Sequence, residues 1–168
     1  GDLAWQAPFV QVLSLSYKPN EVILALADRQ DLTLGGVPMT LTSDGLRASA
    51  LVAANTDLDL TRFTVEVGQM RADSSAGTVF SLSNALVALR AAKDAPLLYA
   101  AFADINDLAL PVSLRQILDP AGNFPAILSQ MTIDASITTD RKLDRTVLTD
   151  LRRPQIDALK LNGMTLAW

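Results

Sequence analysis

Apolar residues that recur at every second position constrain this chain more than anything else in it. Leu46, Ala48, Ala50 and Val52 share one parity, and Phe63, Val65 and Val67 repeat the pattern. A period of two sends alternate side chains to opposite faces of a strand, so each run has one face to bury and one to solvate. Turn residues punctuate the runs at Gly35-Gly36, Ser43-Asp44-Gly45, Asn55-Thr56-Asp57 and Asp73-Ser74-Ser75-Ala76-Gly77. The pattern predicts a mainly β protein with minor α content. We expect a curved or extended antiparallel sheet, meander-like, with two or three short helices packed on one face.

Particular runs refine this. Val10 and Val12 share one parity and Leu13, Leu15 and Tyr17 the other, which predicts a bulge near Val12-Leu13. Gly35-Gly36 fits a tight hairpin. Pro38 has no N–H for a ladder and is expected at an edge or beside a bulge. The run over 79–91 is irregular: Phe80 and Leu82 share a parity with Leu86 and Ala88, whereas Val87 and Leu89 lie opposite. The run over 97–104 is apolar on both parities and reads as a central strand, and Met131, Ile133, Ala135 and Ile137 restore alternation. Helices are expected from Ser113 through Leu118, over 124–128, and from Asp144 through Leu151, the last stopped by Pro154. Asn162-Gly163, between two short apolar runs, reads as a tight turn.

With 168 residues, 49% of them hydrophobic, the chain is long enough for one mainly β domain over 1–168. Its start at Gly1-Asp2 and its end at Trp168, inside a strand-like run, are expected to mark a part cut from a longer exported protein. No apolar stretch approaches the roughly 20 residues of a membrane-spanning helix.

The formal net charge of −4 argues against a general nucleic-acid binder, which needs a surplus of Lys and Arg to neutralise phosphates. There is no His and no Cys. That removes imidazole bases, His-based triads, thiol nucleophiles, zinc-thiolate sites and disulfides. No cofactor or metal is expected, and no catalytic residue is assigned. The paired carboxylates Asp57/Asp59 and Asp104/Asp107 are the remaining acid–base groups, at spacings that approach those of glycoside hydrolysis. Both pairs lie beside Asn in turn-like segments, where local backbone hydrogen bonding is the favoured reading. Neither a Ca²⁺-binding loop, Gly-x-Ser-x-Gly nor Ser-x-x-Lys occurs.

Two sets of residues remain as contact candidates. The aromatics Tyr17, Phe63, Phe80, Tyr99 and Phe102 fall singly in strand runs, where they either fill a core or line an apolar groove. The basic residues Arg141, Lys142, Arg145, Arg152 and Arg153 could meet an anionic partner, although interspersed Asp140, Asp144 and Asp150 favour pairing among themselves.

Trp5-Gln6-Ala7-Pro8-Phe9-Val10 and Leu15-Ser16-Tyr17-Lys18-Pro19-Asn20 resemble a bacterial family known as domain of unknown function 2125. Gly45-Leu46-Arg47-Ala48-Ser49, Leu118-Asp119-Pro120-Ala121-Gly122 and Leu143-Asp144-Arg145 extend the likeness. The resemblance implies an exported, envelope-associated alphaproteobacterial protein in the periplasm, and it transfers no functional residue. The expected function is a non-enzymatic envelope module whose sheet binds a lipid-like ligand or an envelope protein. The alternatives are an Asp-dependent glycan hydrolase and a purely structural spacer.

Overall fold

The computed structural model describes residues 5–6, 12–18, 20–146 and 154–168, with backbone alone at 5–6, 12–18, 24, 26 and 34. Eleven strands form one antiparallel sheet. They are β1 (Trp5–Gln6), β2 (Val12–Lys18), β3 (Glu21–Leu26), β4 (Arg29–Leu34), β5 (Val37–Asp44) and β6 (Arg47–Val52). The long strands follow: β7 (Leu60–Ser74), β8 (Gly77–Ala92), β9 (Ala95–Ala109), β10 (Ile127–Thr139) and β11 (Ile156–Ala167). The sheet branches at β7. Its first half, from Leu60 to Glu66, pairs with β6, which leads to β3 and β2. Its second half, from Gln69 to Ser74, pairs with β5, which leads to β4 and β1. On the other side β8, β9, β10 and β11 follow in order. The sheet stays open, and β11 has no ladder partner along its outer edge among the described strands.

Local chemistry accounts for much of this. Gly35 and Gly36 take φ of 58° and 82° and close the β4–β5 hairpin, the left-handed pair that a two-residue turn between twisted strands requires. Pro38 pairs with Thr33 of β4, but β7 begins its ladder only at Met39, so the missing N–H has no ladder position to leave empty on that side. The expected bulge in the first long run lies between Val12 and Ser14.

The helices are a correction. Of the two or three expected on one face, the described residues hold α1 (Val112–Leu118) alone, and none of its side chains is buried. The segment over 124–128 instead enters β10, because Leu128 pairs with Leu108 and Ile127 with Ala109. The helix expected after Asp144 falls largely on 147–153, outside the described residues.

Asn162-Gly163 is a second correction. β11 runs straight through it, and Asn162 is an extra residue between Leu161, opposite Ala135, and Gly163, opposite Asp134. A second irregularity at Asp157 does the same between Ile156 and Ala158. Each extra residue resets the alternation. As a result Ile156, Leu159, Leu161, Met164 and Leu166 all share one face despite their mixed parity.

That face, called the front here, carries rows of apolar side chains in register. One row runs Val22, Ala50, Phe63, Leu89, Ala101, Ala135, Leu161 across β3, β6, β7, β8, β9, β10 and β11. The next runs Ala48, Val65, Val87, Ala103, Ile133, Met164, and a third Val67, Ala85, Ile105, Met131, Leu166. Ala91, Tyr99, Ile137 and Leu159 make a fourth.

The apolar side changes along the strands. Beyond Gly68, β7 turns Met70 and Ala72 to the back, where Ala72 lies between Leu41 and Phe80 and Met70 opposite Leu82. Farther along the same end Leu108 and Leu128 are paired and buried. The front at this end is polar. Arg71 donates from Nε to Asp73 (2.9 Å) and from Nη2 to the Thr78 hydroxyl (2.8 Å), which itself donates to Asp73 (2.7 Å). The Thr78 hydroxyl, then Arg71, hold the Asp73 carboxyl below its ordinary value. The switch accounts for the irregular run over 79–91, where Phe80 and Leu82 face the back and Val87 and Leu89 the front. The run over 97–104 is apolar on both faces within one half of β9, with Tyr99, Ala101 and Ala103 in front and Leu98, Ala100 and Phe102 behind. Positive φ at Asn84 and Asp107, 49° each, marks the irregular β8–β9 register at the crossing point.

One sheet with this pattern cannot cover itself. The chain exposes 11185 Å², against roughly 8,000 Å² for a compact monomer of its mass. On the front, Phe63, Val87, Leu159, Leu161 and Met164 are all exposed.

Candidate functional site

The front apolar rows and the segment that crosses their end form the candidate site. After β10 the chain, over residues 140–146, crosses the ends of β9 and β8 to reach the start of β7. Besides the bond from the Asp140 N–H to the Gln155 carbonyl at its start (3.0 Å), hydrogen bonds to several elements hold this strap. The Thr139 hydroxyl donates to the Arg141 carbonyl (2.8 Å), and the Leu143 N–H donates to the Tyr99 hydroxyl (2.9 Å). The Leu60 N–H donates to the Leu143 carbonyl (2.7 Å), and the Arg145 N–H to the Asp57 carbonyl (3.0 Å). Thr139 and Tyr99 are buried beneath it. Tyr99 is thus both a front-face residue, between Ala91 and Ile137, and the anchor of the strap.

Between the strap, the start of β7 and the β8–β9 hairpin lies a cleft of about 430 Å³. Its wall includes Arg90, Lys93, Lys142 and Asp59, and it shares Ala91 and Tyr99 with the front face. Asp59 accepts from Lys142 Nζ (3.4 Å) and from Asn55 Nδ2 (3.1 Å) through the same oxygen, Oδ2. Its other oxygen, Oδ1, is buried with no hydrogen-bond partner among the described residues. Its charge is matched by Lys142, and Lys93 stands at the hairpin tip beside it, whereas Arg90, paired with Arg62 and Ala100, turns to the back of the sheet.

The structure separates the aromatic candidates. Phe63 and Tyr99 lie on the apolar front, Phe102 on the back opposite Asp134, and Phe80 on the back of the far end beside Ala72. Of Tyr17 only the backbone is described, paired with Val22. Among the basic candidates, Lys142 lines the cleft and Arg145 is exposed on the strap. Arg141 is half-buried at the start of the strap, and Arg152 and Arg153 lie outside the described residues. The basic segment and the aromatic set, separate in the sequence, meet where Leu143 bonds Tyr99. Sequence reasoning misses Lys93; the signal that could find it is Lys93-Asp94 at the hairpin tip after β8, which ends at Ala92.

Of the paired carboxylates, Asp104 and Asp107 are a further correction: they lie within β9 and not in a turn, and they bond side chains of the strands on either side. Asp104 accepts from Gln130 (3.1 Å) and Asp107 from the Ser83 hydroxyl (2.6 Å), while the Asp57 carbonyl and the Asp59 carboxylate hold the strap. Among the described residues no group of His, Cys, Asp and Glu could hold a metal ion, and no helix is long and apolar enough to cross a membrane.

A family model described as "Uncharacterized protein conserved in bacteria (DUF2125)" matches residues 1–168. The chain belongs to that family. No curated protein and no solved structure matches the chain. Family membership covers the strap, the cleft and every front row, so the site is a property of the matched region and not of an appended segment.

Asp144 steadies the strap. Its carboxylate accepts from the Thr146 hydroxyl (2.6 Å) and the Thr146 N–H (2.9 Å). These bonds, the hydroxyl first, hold its pKa below the usual 3.8, with Arg141 and Lys142 adding smaller attractions. A depressed folded value means the contribution is fully present above about 3.8, the unfolded value, and is lost as pH falls through the lower folded one. Carboxyl titration by NMR is expected to place Asp144 below 3.8, and Asp144→Asn to remove that part of the acid-dependent stability. A normal titration midpoint would refute the assignment.

Proposed function

We propose that this chain is a non-enzymatic cell-envelope module whose front face receives the acyl chain of a lipid-like ligand. The observation that carries this reading is the row from Val22 to Leu161, apolar on seven consecutive strands. Contiguous apolar surface of this kind is costly in water and marks an interaction site. Its small residues, Ala50, Ala101, Ala103 and Ala135, leave a shallow trough between larger neighbours, a shape suited to an extended hydrocarbon. The strap closes one end of that trough. A bacterial protein with such a face meets its ligand where lipids are handled, which favours the periplasm.

Native mass spectrometry of protein purified without detergent, and titration with an NBD-labelled fatty acid, test the reading. Val87 lies in the middle of the second row at 45% exposure, so Val87→Glu puts a charge in the trough without opening a core. The variant is expected to keep its far-UV circular dichroism and to bind the probe about tenfold more weakly, a difference of about 1.4 kcal/mol. Failure of the unaltered protein to bind, or equal binding by the variant, would overturn the proposal.

A further inference from the structure

We infer that β11 pairs antiparallel with β11 of a second copy of this chain, about a two-fold axis at Leu161, independently of the acyl-chain reading. Three observations carry it. The first is the edge itself. β11 is bonded to β10 on one side, and no other described element touches it. Its 12 residues include no proline, so nothing in the strand blocks a second ladder. An open edge of that length is a template for pairing with another strand. Its charged residues, Asp157 and Lys160, cancel, so two copies of a chain with formal charge −4 meet there without net repulsion at the contact.

The second is continuity. The front rows do not turn polar towards this edge: they end on Ile156, Leu159, Leu161 and Met164, all of them exposed. A further strand in the same sheet would extend each row and cover its last residue from the side.

The third is self-complementarity, which selects a second copy over a foreign strand. An isologous contact requires the strand to match itself read backwards. With Leu161 opposite its own counterpart, Leu159 falls opposite Met164 and Ile156 opposite Leu166, so every apolar front residue of β11 meets another. On the back, Lys160 meets Asn162-Gly163 and Asp157-Ala158 meets Thr165, and no like charges are opposed. Each extra residue then stands with its neighbour against one residue of the copy, the two-to-one arrangement it already has against β10. A register centred on Lys160 would instead set two ammonium groups face to face. The two-fold pair also closes, whereas β11 against the opposite edge of another copy would propagate without end.

Analytical ultracentrifugation of the 168-residue chain is expected to show a reversible dimer. Leu161→Lys changes a side chain that is 58% exposed, and it is expected to keep the far-UV circular dichroism and weaken the dimer about tenfold. The chain has no Cys, so one introduced thiol reports the register. Leu161→Cys is expected to link the two copies on mild oxidation, because directly opposite Cβ atoms stand about 5 Å apart. Ile156→Cys, with its counterpart roughly 25 Å away, is expected to stay unlinked. A chain that stays monomeric would overturn the inference, and native mass spectra of a monomer carrying a peptide would assign the edge to a foreign strand instead. Equal linkage through either cysteine would overturn the register. A dimer that Leu161→Cys does not link and that fatty acid dissociates would place the contact front to front and overturn the edge.

Discussion

Tyr99→Ala is expected to destabilise the protein by about 3–5 kcal/mol, the range for removing a buried aromatic ring, whereas Tyr99→Phe is expected to cost only about 1 kcal/mol. The ring is 2% exposed and lies on the front between Ala91 and Ile137, so its loss leaves a cavity lined by small neighbours. The hydroxyl accepts the Leu143 N–H, one of the bonds that hold the strap. The phenylalanine variant keeps the ring and loses that bond alone. Urea unfolding separates the two effects. Limited proteolysis is expected to find the strap cut faster in Tyr99→Phe while the long strands stay protected. An alanine variant within 1 kcal/mol of the phenylalanine one would show that the ring is not packed as described.

How much of this architecture was legible follows from the range over which each signal acts. The β4–β5 hairpin was legible because Gly35-Gly36 states a backbone requirement within two residues. The bulge near Leu13 was legible because a break in parity is itself local. Asn162-Gly163 misled for a related reason: the residues that favour a two-residue turn also suit an extra residue in a strand, and only the partner strand decides between them. The second expected helix failed because its apolar residues, Ile127 and Leu128, face opposite sides of the sheet instead of one helical stripe.

The site was less legible than the fold. Its cleft joins Asp59 to Lys142, 83 positions apart, and nothing in either neighbourhood announces the other. The front rows were visible strand by strand as alternation, but not as rows, because register across seven strands is a long-range property. The basic segment from Arg141 is evident in the sequence, yet Lys93, which lines the same cleft as Lys142, comes from another hairpin.

The change of apolar side is where local alternation and the folded sheet disagree most sharply, and two adjacent residues decide between them. Extending the phase of Met131, Ile133, Ala135 and Ile137 backwards would place Ile127 with the buried set and Leu128 with the solvated one. The structure reverses this: Leu128 is 2% exposed on the back against buried Leu108, and Ile127 is 54% exposed on the front. Leu128→Ala is therefore expected to cost about 2–5 kcal/mol, as for other buried leucines. Ile127→Ala is expected to cost less than about 1 kcal/mol, the scale of β preference at an exposed strand position. Chemical denaturation of the two variants ranks them directly. Equal losses, or a larger loss at Ile127, would mean that the front face continues unbroken along β10 and that the apolar side does not change.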